Sequence, residues 1–144
     1  MIIRDGSFEE ALLIHNSVTE LNHISSVAYF LDRIASCQYK LLVAEVSGKL
    51  AGYKLGYWEG DKTFYSWLGG VHPEFRRIGI AQKLIESQEA YLRVSGTHKI
   101  RVKSMNKYPG MLILLINNEY HITDVISSPS GENKIVFTKF LSEP

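Results

Sequence analysis

The stretch LGGVHPEFRRIGIA, residues 68–81, places a strand, a turn and the start of a helix in quick succession. Gly69 and Gly70 weaken a strand, so a bulge or a close approach of another backbone is the natural reason for them. The strand ends at His72-Pro73, because proline has no N–H to donate to a sheet. The pair Arg76-Arg77 then brings positive charge to the start of a helix, so this segment predicts a strand–turn–helix unit that attracts anions.

The predicted helix start favours a phosphate-bearing ligand. The first turn of a helix has unpaired N–H groups and the positive end of the helix dipole. Gly79 and Ala81 carry little or no side chain, so a phosphate can reach the backbone, and a diphosphate is the best physical match. The alternative to phosphate binding is an ordinary helix start beside a pair of arginines that are exposed to solvent. No Gly-Lys-Ser/Thr phosphate loop and no dinucleotide fingerprint occurs in the chain, which disfavours those two classes of nucleotide fold.

Periodicity and turn residues assign the rest of the chain. Ser7 and Glu10 match a capping box, and apolar residues three and four apart predict further helices. The predicted helices are about ten residues after Ser7, then Asn22–Ala35, Gly79–Ser95 and Pro109–Asn118. The predicted strands are Ile2–Ile3, Tyr39–Val46, Leu50–Trp58, Thr63–Val71, Lys99–Ser104, Tyr120–Ile126 and Asn133–Leu141. This order predicts one α/β domain over residues 1–144 with a mixed sheet.

Composition narrows the class of protein. The 144 residues include 16 Lys and Arg against 15 Asp and Glu, a formal net charge of +1, which disfavours a nucleic-acid binder. Cys37 is the only cysteine, so an internal disulfide and a cysteine-cluster zinc site are excluded. The longest apolar run, 111–116, has six residues, against the roughly 18–20 needed to cross a bilayer. With no secretion signal recognised, we expect a soluble cytoplasmic domain.

The wider pattern around the turn resembles a known family. Val71-x-Pro73-x-x-Arg76-Arg77-x-Gly79-Ile80-Ala81 is similar to the acyl-CoA signature of the GCN5-related N-acetyltransferases (GNAT), whose core element is Gln/Arg-x-x-Gly-x-Gly/Ala. The resemblance implies a single-domain fold with a twisted mixed sheet of six to seven strands and about four helices. It also implies that acetyl-CoA lies in a V between the fourth and fifth strands, with the expected bulge at Gly69-Gly70 opening that V.

The resemblance further implies which residues hold acetyl-CoA. Backbone groups near Val71 would pair with the pantetheine arm, and the amides from Arg77 through Ala81 would hold the pyrophosphate. Asn106 matches an asparagine that contacts the pantetheine or orders its loop. It also fits as the N-cap of the following helix, and the two roles are compatible. The cofactor-binding residues expected on this basis are Val71, His72, Arg76, Arg77, Ile78, Gly79, Ile80, Ala81, Gln82 and Asn106. No metal is expected.

The chain departs from the family at its usual acid and base. The position of the family's tyrosine is Leu115, and the position of a glutamate base used in the ribosomal-protein branch is Arg101. Tyr108, two residues past Asn106, is the candidate catalytic residue, against the alternative that it only packs at the helix start. Catalysis by positioning, with water carrying protons, is a further alternative. An acyl-enzyme on Cys37 is disfavoured because that residue lies far from the signature.

Two functions from different classes follow. The leading one is an acetyl-CoA-dependent N-acetyltransferase that transfers an acetyl group to a primary amine of a small molecule or protein in a ternary complex. The alternative is a catalytically idle acyl-CoA sensor. We expect a monomer or homodimer that binds neither nucleic acid nor membrane. Candidates to line an acceptor pocket, each against the alternative of an ordinary surface or core residue, are His15, Glu20, His23, Tyr29, Asp32, Glu59, Asp61, Tyr65 and His121. His72 is another candidate base, against the alternative of an exposed turn residue.

Overall fold

The computed structural model describes residues 1–60 and 62–142, so Asp61 lies outside the described residues. Within them, the strands are β1 Ile2–Asp5, β2 Tyr39–Val46, β3 Lys49–Trp58, β4 Thr63–Val71, β5 Lys99–Met105, β6 His121–Ile126 and β7 Lys134–Phe140. The α-helices are α1 Phe8–Ser17, α2 Ala28–Ile34, α3 Ile80–Val94 and α4 Pro109–Asn117. A short 3-10 helix, Pro73–Phe75, lies between β4 and α3. The predicted element order is confirmed.

The strands form one mixed sheet in the order β1-β2-β3-β4-β5-β7-β6. Every neighbouring pair is antiparallel except β4 and β5, which are parallel because α3 carries the chain back between them. Helices α1 and α2 pack on one face, where Ile14 and Phe30 join the core. Helices α3 and α4 pack on the other face, where Leu92 and Leu115 meet β4, β5 and β7. The single-domain sheet with four helices therefore agrees with the predicted fold class.

The capping box that was expected to begin α1 is present. The backbone N–H of Glu10 donates to Ser7 Oγ at 3.2 Å, and the N–H of Ser7 donates to Glu10 Oε1 at 2.9 Å. Two of the otherwise unpaired N–H groups at this end are satisfied, which fixes where the helix starts.

The second helix is shorter than predicted. It begins at Ala28 rather than Asn22, because α1 holds the preceding segment in a non-helical form. Asn16 Nδ2 donates to the Ile24 carbonyl at 2.7 Å, and the Ile24 N–H donates to Asn16 Oδ1 at 2.9 Å. These side-chain bonds replace the helical bonds that the apolar spacing suggested.

The bulge in β4 lies at Trp67, and the prediction of a bulge at Gly69-Gly70 is wrong. Leu68 pairs with Leu55 and Ser66 with Gly56, which leaves Trp67 as the extra residue. The glycines pair regularly, and the close-approach explanation holds for them. A Cβ on Gly70 would lie 3.2 Å from Val18 Cγ2, and one on Gly69 would lie 3.2 Å from the Tyr53 carbonyl oxygen.

Strands β4 and β5 separate where the bulge begins. Their parallel pairing runs from Thr63 opposite Lys99 to Ser66 opposite Val102 and stops there. From Trp67 onward, the β5 side of β4 faces an opening in the sheet. A bulge bends and twists its strand, so Trp67 supplies the divergence that the resemblance attributed to the glycines. No helix within the described residues is both long and apolar enough to cross a membrane.

Candidate active site

The opening between β4 and β5 leads into a cavity of about 900 Å³. Its walls come from the segment between α1 and α2, the ends of β4 and β5, and the start of α4. Lining side chains include Glu20, Tyr29, Trp67, Lys103 and Tyr108. The cavity therefore connects both faces of the sheet at the point where its strands diverge.

The turn from β4 into α3 presents backbone donors. Arg77 and Gly79 have positive φ angles of 66° and 87°, and α3 then begins at Ile80 without a side-chain cap. Among the described residues, none accepts a hydrogen bond from the backbone N–H groups of residues 77–82. A Cβ on Gly79 would meet nothing within 4 Å, so the turn is open to solvent. Free amides, the positive end of a helix and an adjacent arginine are together suited to a diphosphate.

The side chains of the turn have different partners. Arg76 donates to both carboxylate oxygens of Glu20 at 2.8 Å, which raises the pKa of Arg76 and lowers the pKa of Glu20 to about 2. Arg77 is exposed and joins no ion pair within the described part of the chain. Ile78 is half exposed. Arg77 thus keeps its charge available to an anion, whereas Arg76 must exchange Glu20 for one.

The side chains of three predicted cofactor residues have structural roles. His72 Nδ1 accepts from the Glu74 N–H at 3.1 Å and caps the 3-10 helix. Val71 packs at the base of α3 with Ile80. The Gln82 and Asn118 amides bond to each other twice at 2.8 Å, which joins α3 to α4. These residues shape the turn through their side chains, and their backbone groups remain the candidates for cofactor contact.

Asn106 lies exposed in the turn after β5. The alternative that it caps the next helix is wrong, because α4 has Tyr108 at its N-cap and no side-chain cap bond. Within the described residues its side chain has no hydrogen-bond partner. Its neighbours Met105 and Lys107 line the cavity, so Asn106 lies beside the cavity wall with its amide free.

Tyr108 stands at the cavity rim. Its hydroxyl donates to the Glu20 carbonyl at 3.4 Å, and Lys107 Nζ lies 5.4 Å from the centre of its ring. Since Glu20 also binds Arg76, the α1–α2 segment, the turn between β4 and α3 and the start of α4 meet at this point. The structure thus places Tyr108 beside the cavity, and its catalytic role stays a prediction.

The family's usual acid and base positions serve structural purposes here. Leu115 is fully buried in the core between α3, α4 and the sheet. Arg101 pairs with Glu59 at the far end of β5. Cys37 is exposed after α2 and does not line the cavity. Within the described residues, no cluster of three or more His, Cys, Asp or Glu side chains is arranged to hold a metal ion.

His15 is a buried structural group. Its Nδ1 lies 2.6 Å from the Tyr53 hydroxyl and its Nε2 lies 2.9 Å from the Asn22 carbonyl. This network assigns the ring proton to Nε2, with Tyr53 donating to Nδ1. Burial lowers the pKa of His15, so the neutral ring that fits the network is the favoured form.

An aromatic wall covers the α1–α2 side of the cavity. Tyr29 stacks on Trp67 with ring centres 5.7 Å apart, and the Arg33 guanidinium lies 5.2 Å from the Trp67 ring centre. Tyr29 is half exposed. Trp67 lies on the same face as Tyr65, as strand alternation predicts, and because of the bulge Leu68 lies on that face as well. This wall offers a planar surface for an acceptor molecule.

Sequence reasoning missed two buried polar residues on the opposite wall. Lys54 and Ser66 line the cavity and are 7% and 3% exposed. Burial lowers the pKa of Lys54 to about 8, and Ser66 Oγ has no hydrogen-bond partner. The sequence signal for Lys54 was its position in the middle of a strand of mostly apolar residues. Lysine is rarely buried unless its charge is paired, so this position indicates a special role.

Comparison with known proteins gives the same assignment as the geometry. One similar solved structure is the ribosomal-protein-S18-alanine N-acetyltransferase from Escherichia coli, with 15% identity, coverage of 99% of this chain and 95% of that chain, and a TM-score of 0.85. An aminoglycoside 6′-N-acetyltransferase complexed with coenzyme A has 12% identity, coverage of 100% and 99%, and a TM-score of 0.83. The acetyltransferase YncA from Salmonella typhimurium with acetyl-CoA has 15% identity, coverage of 99% and 95%, and a TM-score of 0.78. A model of the acetyltransferase (GNAT) family matches residues 9–109. The chain belongs to the acetyltransferase (GNAT) family.

Proposed function

We propose that this protein is an acetyl-CoA-dependent N-acetyltransferase that acts on a primary amine of a small molecule or a protein. The observation that carries the proposal is the direct connection between two features. The free amides of residues 77–82 stand at the start of α3, and the sheet opens beside them from Trp67 onward. A ligand that joins a diphosphate to a narrow arm ending in a thioester fits both features at once.

The residues present suit such a cosubstrate. The amides of Arg77 to Gln82 would bind the pyrophosphate, with Arg77 adding charge. The end of β4 near Val71 would align the arm, and Asn106 would contact it from the β5 side. The cosubstrate supplies the activated acetyl group. The protein supplies orientation, which alone can contribute several kcal/mol to lowering the barrier.

The acceptor would enter from the α1–α2 side. Tyr29 and Trp67 form a flat wall there, and the Glu20 carboxylate lies nearby on the cavity rim. We propose direct attack by the neutral amine in a ternary complex. A bulged residue is left out of the regular ladder, so the backbone N–H of Trp67 is the proposed donor to the developing oxyanion. Donors of this kind contribute about 3–4 kcal/mol elsewhere.

We place the reaction in the cytoplasm and expect a monomer or homodimer. The proposal involves no metal, nucleic acid or membrane. Tyr108 is retained as a candidate proton donor at the rim, where its hydroxyl already reaches the Glu20 carbonyl.

The test is release of free CoA from acetyl-CoA in the presence of amines. The panel should include aminoglycosides and peptides with a free α-amino group, which the names of similar structures mention, together with polyamines and lysine-containing peptides as further primary amines. Turnover above the rate without acceptor supports the proposal and rejects the idle-sensor alternative. Tight CoA binding without turnover across the panel would instead favour the sensor. Absence of CoA binding would contradict both.

A further inference from the structure

Lys54 is a buried cation without a charge partner. It lies in β3, is 7% exposed, and forms no ion pair within residues 1–60 and 62–142. The carboxylate whose charge raises the pKa of Lys54 is that of Glu89 in α3. That carboxylate already accepts from Lys139 Nζ and from the Tyr120 hydroxyl, each at 2.9 Å. A buried charge normally has a partner of opposite charge. The described residues supply none for this ammonium, so a bound ligand is the candidate partner.

The surroundings of Lys54 hold further unused polar groups. Ser66 Oγ and both amide atoms of Gln88 are buried without hydrogen-bond partners. In α3, Leu84 packs at Gly52 of β3, and Gln88 follows Leu84 by one helical turn. Lys54 follows Gly52 by two residues, so it lies on the same face of the sheet. Lys54, Ser66 and Gln88 therefore share the α3 face at the closed end of the V.

Lys54 reaches the cavity across Gly69. The two residues are paired on neighbouring strands, and a Cβ on Gly69 would lie 3.8 Å from Lys54 Cγ. With a strand rise of about 3.3 Å per residue, Gly69 lies about 7 Å inside Val71, toward the closed end. A cosubstrate arm that enters at the start of α3 and runs inward along β4 would approach this point, and the group at its end is sulfur.

We propose that the Lys54 ammonium is the partner of the cosubstrate sulfur, stabilising the thiolate as it leaves and giving it a proton. This inference rests on the proposed function. Lys54 Nζ transfers its proton to sulfur as the acyl C–S bond breaks and the new C–N bond forms. The proton lost by the acceptor nitrogen then restores the ammonium, so the products are an amide and a free thiol, and Lys54 returns to its starting state.

The other candidates for this task are placed less well. Leu115 is an apolar core residue. Tyr108 lies at the rim, where its hydroxyl is directed at the Glu20 carbonyl. Burial lowers the pKa of Lys54 to about 8, close to the usual value of about 8.5 for a thiol. Proton transfer between the two groups is therefore nearly balanced, which suits a donor to a leaving thiolate.

The test measures ionisation of the thiol of bound CoA, which needs no acceptor. Protein is saturated with CoA, with binding confirmed by calorimetry, and thiolate absorbance in the ultraviolet is followed against pH. A cation at contact distance lowers a thiol pKa by about one to three units. We expect bound CoA to ionise at least one unit below free CoA in the wild type. Lys54→Met and Lys54→Gln should both remove that shift.

The matched control is Lys103→Met, which removes a lysine from the same cavity on the opposite face and should preserve the shift. An unchanged titration in both Lys54 variants overturns the inference. So does a shift lost in Tyr108→Phe but kept in Lys54→Met. If CoA binds but ionises as it does in free solution, the inference fails while the proposed function stands. If CoA does not bind, the proposed function fails.

Discussion

Gly79 offers a direct test of charge at the proposed pyrophosphate turn. Its φ is 87° and a Cβ there would meet nothing within 4 Å. Asp and Asn tolerate positive φ better than most residues, so Gly79→Asp and Gly79→Asn should carry the same strain of roughly 1 kcal/mol. The two variants differ only in a carboxylate beside the free amides.

The size of the expected effect follows from Coulomb's law. A carboxylate about 5 Å from one phosphate charge costs roughly 1 kcal/mol in water and about 3 kcal/mol near a protein surface. Acetyl-CoA should therefore bind Gly79→Asp roughly 5- to 200-fold more weakly than Gly79→Asn by calorimetry. Melting temperatures of the two variants should agree, with Asp slightly favoured by the helix dipole. Equal affinities for acetyl-CoA would refute the pyrophosphate assignment.

Three other substitutions test separate parts of the structure. The pKa of Lys54 is about 8 in the folded protein and higher in the unfolded chain, so its effect on stability depends on pH. In chemical denaturation, the free energy of unfolding of the wild type should rise by up to about 3 kcal/mol relative to that of Lys54→Met between pH 8 and about 10.5. A difference that does not change with pH would contradict this. Glu20→Gln should change stability by less than about 1 kcal/mol because its ion pair with Arg76 is exposed, yet tighten acetyl-CoA binding by releasing Arg76; weaker binding by calorimetry would count against that. Glu119 has φ 67° just after α4, so Glu119→Gly should raise stability by about 1 kcal/mol in a denaturant titration, and a loss would show that the strain is absent.

Local chemistry made the turn between β4 and α3 predictable. The end of β4 and the start of α3 are determined by residues close in sequence, namely Pro73, the Arg76-Arg77 pair and Gly79. The same holds for the capping box of α1. Such features depend on neighbours within a few residues, so the sequence alone carries them.

The features that were missed depend on long-range pairing. The bulge lies at Trp67 because the register of β3 and β4 changes between Leu55 and Gly56, and no neighbouring residue announces that change. Residues 22–27 are non-helical because Asn16, on another element, binds Ile24. Lys54 faces the cavity only because Gly69 stands opposite it. Each of these three features depends on a contact with a residue that is distant in sequence, which local sequence patterns do not specify.

The most direct test of the account is a crystal structure of the protein with CoA. We predict pyrophosphate oxygens within hydrogen-bond distance of the amides of residues 77–82, and the arm lying in the opening beside β4 with its sulfur toward Lys54. A nucleotide bound elsewhere, with those amides turned to protein or solvent, would contradict the assignment.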